Sequence, residues 1–236
     1  MNLREKYGEW GIILGATEGV GKAFAEKIAS EGMSVVLVGR REEKLQELGK
    51  SISETYGVDH MVIRADFAQS DCTDKIFEAT KDLDMGFMSY VACFHTFGKL
   101  QDTPWEKHEQ MINVNVMTFL KCFYHYMGIF AKQDRGAVIN VSSLTAISSS
   151  PYNAQYGAGK SYIKKLTEAV AAECESTNVD VEVITLGTTI TPSLLSNLPG
   201  GPAGEAVMKT AMTPEACVEE AFDNLGKSLS VIAGEH

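Results

Sequence analysis

Apolar and polar positions fall into a regular succession of strand-like and helix-like segments. Residues 10–14 (Trp-Gly-Ile-Ile-Leu) form a short apolar run, and residues 33–39 (Met-Ser-Val-Val-Leu-Val-Gly) a β-branched one. Between them, residues 22–31 carry helical periodicity, with Phe24, Ile28 and neighbouring alanines, and Gly32 acts as a stop. The alternation predicts further helices over 41–56, 70–81, 104–132, 153–175 and 213–227. It predicts further strands over 60–65, 86–92, 137–142, 180–186 and 228–233. Strands and helices at this spacing imply an α/β fold, a doubly wound parallel sheet (Rossmann fold) of about seven strands with helices on both faces. The chain reads as a single domain over 1–236, with no internal repeat or low-complexity linker. The one long irregular stretch, about 187–213, is rich in Gly, Pro, Thr and Ser; such a loop in a compact domain is usually functional. Within it, Pro199-Gly-Gly-Pro202 has the composition of a hinge.

Composition narrows the partners. At 236 residues the chain can bury a full core, and its formal charge of −10 argues against nucleic acid or an anionic membrane as the main partner. Five cysteines, an odd number without C-x-x-C spacing, suit reduced thiols rather than a disulfide frame or a zinc site, so no metal is expected. The charged start (Met-Asn-Leu-Arg-Glu-Lys-Tyr) lacks the apolar segment of a signal peptide, and no apolar run approaches the ~20 residues of a membrane span. A cytoplasmic protein is expected.

Candidate chemistry sits at three places. Gly15-x-x-x-Gly19-x-Gly21, between a strand and a helix, is the pattern of a phosphate-binding turn, where glycines admit the pyrophosphate and the helix N-terminus offers N–H donors. The same glycines could serve tight packing alone. At the tip of the second strand stands Gly39-Arg40-Arg41, where NAD-preferring proteins carry an acid for the ribose 2′-hydroxyl. Two arginines at a helix start oppose the helix dipole, so a solvated charge run leaves them unexplained, whereas a 2′-phosphate would be gripped by their forked donors and Gly39 would leave it room. NADP is therefore the expected cofactor. Asp66-Phe67 ends the third strand, where the carboxylate could accept from an adenine amino group or cap the next helix.

The third place is Ser143 to Lys160. Tyr156 and Lys160 stand four apart on a helical run and share a face. A phenol with a pKa near ~10 is a poor acid–base group at pH 7. An ammonium about 4 Å away is worth roughly 4 kcal/mol at an effective dielectric near 20, which would lower that pKa by roughly 3 units. The pair could then protonate a carbonyl oxygen that the Ser143 hydroxyl holds; an ordinary amphipathic pair is the competing reading.

Taken together, the glycine turn, Asp66, Asn115, Ser143, Tyr156-x-x-x-Lys160 and Gly187-x-x-x-Thr191 resemble the short-chain dehydrogenase/reductase family over essentially the whole chain. The resemblance implies that Tyr156 is the acid–base residue, that Lys160 lowers its pKa and binds the nicotinamide ribose, and that Ser143 polarises the substrate oxygen. Asn115 would support a proton-relay water near the lysine, or merely share a polar helix face with Asn113. The implied cofactor contacts are Gly15, Thr17, Glu18, Gly19, Val20, Gly21, Gly39, Arg40, Arg41, Asp66, Phe67, Ala92, Tyr156, Lys160, Thr189 and Thr191. Stretches 1–10, 83–93 and 185–202 resemble members that interconvert a 7-oxo bile acid and its 7β-hydroxy form, which implies a small-molecule steroid substrate. Family members usually form dimers or tetramers through the helices at 104–132 and 153–175, and those most similar continue past His236 with a short charged tail.

Three positions depart from the family pattern: Leu14 replaces a threonine, Tyr90-Val91-Ala92-Cys93 replaces Asn-Asn-Ala-Gly, and Leu186 replaces a proline. The second removes side-chain roles there but leaves the Ala92 backbone for the cofactor. Leu144, Ile147, Ser148, Asn153 and Gln155 flank the catalytic stretch, and Leu194, Leu195 and Leu198 lie on the 187–213 loop, as pocket or as plain core. Two other functions remain open: a reductase of the same family acting on a 3-oxoacyl thioester, and an NADP-sensing binding protein without catalysis.

Overall fold

Residues Ser34–Gly39 form a strand, β2, that is buried along its whole length. Val35 and Leu37 face one apolar layer, and Val36 and Val38 the other. That two-sided burial is why its sequence is a continuous apolar run, and it requires helices on both faces. The computed structural model describes residues 2–198 and 200–234 and meets that requirement. Its seven strands are all parallel: β1 (Trp10–Leu14), β2, β3 (His60–Arg64), β4 (Met85–Tyr90), β5 (Gly136–Ser143), β6 (Val179–Leu186) and β7 (Ser230–Ile232). They lie in the order β3-β2-β1-β4-β5-β6-β7. The order reverses between β1 and β4, and ligands of such sheets bind outside the carboxyl ends of the strands at that switch point.

The helices are α1 (Leu3–Tyr7), α2 (Gly19–Ser30), α3 (Glu42–Tyr56), α4 (Cys72–Thr80), α5 (Trp105–Ile112), α6 (Phe119–Gln133), α7 (Ala154–Glu173), α8 (Pro192–Asn197), α9 (Pro202–Lys209) and α10 (Pro214–Asn224). Phe24 of α2 and Phe222 of α10 pack together on one face of the sheet, against Phe87. Phe119, Phe123 and Tyr126 of α6 fill the other face. No helix among the described residues is long and apolar enough to cross a membrane.

Two expectations need correction. The helix expected over 104–132 is not continuous: Asn113–Thr118 between α5 and α6 is π-helical, a geometry that often marks functional sites. The buried Tyr90 hydroxyl donates to the Val114 carbonyl there at 2.6 Å, so the tyrosine that departs from the family pattern braces this turn. The charged start folds as α1, where Asn2 caps the helix by accepting from the Glu5 N–H. The 187–213 stretch is not irregular throughout. Thr191 accepts from the Leu194 N–H and Pro192 fills the first position of α8, while Pro202 opens α9 in the same way. Of the expected hinge, Pro199 lies outside the described residues, as does His236.

Glu182 of β6 is fully buried, and neither carboxyl oxygen has a hydrogen-bond partner among the described residues. Burial pushes its pKa up to about 8. The folded protein then keeps a proton that the unfolded chain releases above its ordinary value of 4.5. This contribution to stability is complete below that value, falls by about 1.4 kcal/mol per pH unit, and is lost once the pH passes the folded pKa. Resistance of the protein to denaturant should weaken from pH 5 to pH 8, and Glu182→Met should flatten that slope and be the more stable protein at pH 8.

Candidate active site

The chain after β1 turns on Gly15, whose φ of +103° lies in the region that favours glycine. A Cβ there would stand 2.6 Å from the Ala92 nitrogen. The tips of β1 and β4 therefore meet backbone to backbone, with the Ala92 N–H donating to the Leu14 carbonyl at 2.8 Å. At Gly21, an added Cβ would collide with the Gly15 carbonyl, so the first turn of α2 packs directly on the loop. Glycines thus serve close packing, and the same packing leaves the N-terminus of α2 open to the crevice, lined by Gly15, Thr17 and Glu18.

Across the loop, Gly39 ends β2, and a Cβ on it would lie 2.8 Å from the Thr17 hydroxyl; its small size seats Thr17. Arg40 and Arg41 are exposed. Arg41 pairs with Glu18 at 2.9 Å, and Lys44 stands 3.9 Å from the same carboxylate. The sheet register sets Arg64 beside Gly39. Four cations thus converge at this strand tip, lining one groove of about 670 Å³. Sequence reasoning found two of them; Lys44 follows Arg41 by three positions on α3, but Arg64 is brought in only by strand pairing. Asp66 accepts from the Ala68 N–H at 3.1 Å, a local turn, and α4 is entered through Asp71 instead. Its helix-capping alternative falls, and Asp66 and Phe67 line the cavity with the glycine turn.

The Ser143–Lys160 stretch lies on the other side of the switch point. Lys160 is 2% exposed, and its ammonium donates to the Val141 carbonyl of β5 at 2.8 Å. Ser142 returns a bond from its hydroxyl to the Lys160 carbonyl at 2.9 Å, so α7 is fixed to the strand. One turn earlier, Tyr156 is half-buried, and the Lys160 Nζ stands 5.8 Å from its ring centroid. Ser143 ends β5 and accepts from the Thr145 N–H at 3.3 Å. Burial pushes the Tyr156 phenol up, with the Cys93 charge adding to the shift and the Ser143 hydrogen bond opposing it. Burial pushes Lys160 down, and Cys93 opposes that. The expected depression of the phenol by its ammonium neighbour is therefore not present: the lysine reaches past the ring to a backbone carbonyl, and desolvation dominates both groups. Burial thus favours the neutral, protonated form of the Tyr156 phenol.

Asn115 sits in the π segment, 1% exposed. Its Nδ2 donates to the Phe94 carbonyl at 2.7 Å, and its Oδ1 accepts from the Phe94 N–H at 2.9 Å. It does not share a solvent face with Asn113, which is exposed. The pair of bonds clamps the segment after β4, which presents Ala92, Cys93 and His95. The His95 ring meets the Tyr156 ring edge to face at 5.6 Å. Neither Cys93 nor His95 was anticipated from the sequence, because nothing in the run Val-Ala-Cys-Phe-His marks it as facing α7.

Two adjoining cavities make one cleft. One of about 320 Å³ holds the glycine turn, the arginines, Asp66, Phe67 and Ala92. The other, about 290 Å³, holds Gly19, Val20, Ser143, Tyr156, Lys160, Thr189 and Thr191. Glu18, Cys93, His95 and Ser193 border both. Every sequence-predicted site residue except Gly21 and Asn115 lines this cleft, and those two shape it from behind. The elongated cleft, donors and cations at one end and a phenol at the other, fits a phosphorylated dinucleotide. Of the residues flanking this stretch and on the 187–213 loop, Leu144, Ile147 and Leu195 are exposed apolar side chains and Ser148 is exposed; none of the four lines either cavity. Gln155 and Asn153 point elsewhere: the Gln155 Nε2 donates to the His108 carbonyl at 2.9 Å, and Asn153 is buried.

Comparison with known proteins agrees with this geometry. The family model for short chain dehydrogenases matches residues 9–198. The chain is 76% identical over 235 residues to a 7β-hydroxysteroid dehydrogenase of Mediterraneibacter gnavus, covering 100% of this chain and 89% of that protein. It is equally similar, 76% over the same 235 residues with the same coverage, to one of Collinsella aerofaciens. A solved structure from a study of 7β-hydroxysteroid dehydrogenase stereoselectivity superposes with a TM-score of 0.97 at 76% identity, covering 100% of this chain and 91% of that one. The chain belongs to the short-chain dehydrogenase family, oxidoreductases that use a nicotinamide dinucleotide and act on CH–OH groups.

Proposed function

We propose that this protein is an NADP-dependent 7β-hydroxysteroid dehydrogenase, interconverting a 7-oxo bile acid such as 7-oxolithocholate and its 7β-hydroxy form, ursodeoxycholate. The single observation that carries the chemistry is the Tyr156 phenol with Ser143 and Lys160 in one cavity of a cleft whose far end is cationic. The single observation that carries the substrate is full-length similarity to enzymes of that name. A 3-oxoacyl reductase would need the same phenol and serine, so the rival is separated by substrate and not by mechanism. The non-catalytic reading fares worse, because Ser143, Tyr156 and Lys160 all line one cavity.

When bound, the dinucleotide supplies the hydride. Ser143 holds the substrate oxygen, and Tyr156 gives that oxygen its proton in reduction or takes it in oxidation. Lys160, tied to Val141, fixes the helix turn that aims the phenol and offers its ammonium to the nicotinamide ribose. Asn115 acts by clamping Phe94. Leu144, Ile147 and Leu195 offer a rigid apolar steroid a surface with few polar demands. The arginine pair and Gly39 favour NADP through charge-assisted bonds to the 2′-phosphate. Exposed Trp105 and Tyr124 on α5 and α6 support a homo-oligomer built on those helices, and five unpaired cysteines support a reducing, cytoplasmic setting.

With NADPH and a panel of oxo-steroids and 3-oxoacyl compounds, the protein should consume NADPH with 7-oxo bile acids and yield the 7β-hydroxy product. Turnover confined to 3-oxoacyl compounds would overturn the steroid reading. Tyr156→Phe should still bind NADPH, measured by fluorescence, yet lose about 10²–10⁴-fold in kcat. Because burial keeps the phenol protonated, the reduction rate should stay level across neutral pH while the oxidation rate climbs with pH; a reduction rate that falls between pH 6 and pH 8 would contradict the assignment. Arg41→Ala should raise the KM for NADPH about tenfold or more, the value of one charge-assisted bond, and leave that for NADH nearly unchanged. Glu18→Gln, by removing the carboxylate that competes for Arg41, should lower the KM for NADPH.

A further inference from the structure

The bond from Lys160 to Val141 fixes the helix turn that carries Tyr156, but not the rotation of the Tyr156 ring. The phenol oxygen is the far end of a long side chain, so a small turn about its χ angles displaces it widely. Another ring meets it: the His95 imidazole lies 5.6 Å away, centroid to centroid, with the two planes at 61°. That distance and tilt are those of an edge-to-face aromatic pair. The same imidazole meets the Phe97 ring at 5.4 Å and 81°. Three rings thus run from the exposed Phe97 through the half-buried His95 to the phenol. His95 also borders both cavities of the cleft, where the reacting end of a bound dinucleotide and the phenol would come together.

The chain that carries His95 has no regular secondary structure, yet it is pinned at both ends. Before it, the Asn115 side chain bonds the N–H and the carbonyl of Phe94 at 2.9 and 2.7 Å. After it, the Gly98 N–H donates to the Tyr152 carbonyl at 2.9 Å, in the loop that leads into α7. Tyr152 makes that bond from a left-handed backbone, φ +64°, which a bulky residue seldom adopts. Such strain persists only where the surroundings hold it, and it gathers at functional sites. Both the phenol's own loop and the segment after β4 are therefore held where the two rings meet.

We propose that His95 is a positioning residue for the reaction: its ring, packed between Phe97 and Tyr156 on a segment pinned at both ends, sets the angle at which the phenol reaches the substrate oxygen. This rests on the reading of Tyr156 as the proton donor. Lys160 places the backbone of the donor and His95 its ring. The role asks for a flat ring at this place and not for a proton, so an aromatic side chain without an ionisable group should serve in it. A displaced donor is costly, because an error of about 1 Å in the placement of a reacting group can lower a rate about 10²-fold.

The test compares kcat and KM with NADPH and whichever oxo compound of the panel is consumed. His95→Ala should keep the KM for NADPH within about twofold and lower kcat about tenfold or more. His95→Phe, which returns a ring to the site, should regain most of that loss. With the donor ill-placed, proton transfer becomes the slow step, so the solvent deuterium effect on kcat should grow in His95→Ala and fall back in His95→Phe. A purely structural role for the histidine would not move that effect. An unchanged kcat in His95→Ala, or a His95→Phe no faster than His95→Ala, would overturn the proposal. Should His95→Ala fold poorly, Phe97→Ala decides the matter, since it removes an exposed ring from behind His95: a lower kcat with a larger solvent effect supports the role, and an unchanged kcat overturns it. Tyr156→Phe separates the two readings. If that variant keeps its rate, the assignment of the phenol has failed; if it loses its rate while His95→Ala does not, only the role of His95 has failed.

Discussion

A lysine ammonium buried to 2% exposure must have a partner, and here the partner is the Val141 carbonyl of β5 at 2.8 Å. That one bond sets the rest of the geometry around Tyr156 and Ser143. It draws α7 onto the strand, where Ser142 adds its own bond to the Lys160 carbonyl, and so fixes where Tyr156, one turn back, meets the end of β5. The strand that supplies the carbonyl also ends at Ser143, so phenol and hydroxyl are placed by one anchored unit. Gly159, one residue before the lysine, packs on Asn115, where an added Cβ would lie 3.2 Å from that side chain's Cβ. The anchor thereby reaches the π segment, and through the two Asn115–Phe94 bonds it reaches the segment after β4. Phenol, lysine and the His95 ring are thus parts of a single packed arrangement.

The parallel sheet was plain in the sequence because strands buried on both faces read as unbroken apolar runs. All seven strands fall where those runs predict, within a residue or two at each end. Tyr156, Lys160 and Ser143 were legible because helix periodicity puts the first two on one face and a buried strand leads to the third. What was hidden depends on contacts between segments distant in the chain. Arg64 joins the cationic tip only through pairing of β3 with β2. Cys93 and His95 face Tyr156 only because β4 lies beside β5. The break in the 104–132 helix has no proline or glycine to announce it; it answers to Tyr90, which bonds into it from β4, and to Asn115, which bonds out of it to Phe94. Helices α8 and α9 were more accessible, since Thr191-Pro192 and Gly201-Pro202 are helix-start signals overlooked amid a loop-like composition.

The electrostatic expectation failed for an instructive reason. Treating Tyr156 and Lys160 as a pair in a uniform dielectric takes the ammonium as free to face the phenol. In the fold the lysine's nearest partner is a carbonyl, and both groups have left water. Desolvation favours the neutral form of each, so it lifts an acid and lowers a base. A protonated phenol suits the donation of a proton to a carbonyl oxygen, whereas the reverse reaction requires a phenolate in the same surroundings.

Glu18 shows a related tension at the opposite end of the cleft. Its carboxylate pairs with Arg41 and stands near Lys44, neutralising part of the cationic tip that a 2′-phosphate would meet. An exposed pair of this kind is worth little, at most about 1 kcal/mol, because water screens it. A phosphate bearing nearly two charges and several acceptor oxygens would outcompete one carboxylate for the same guanidinium. The arrangement keeps Arg41 extended toward the glycine turn, and the small energy of the pair is what allows that orientation to be held without closing the site to the cofactor.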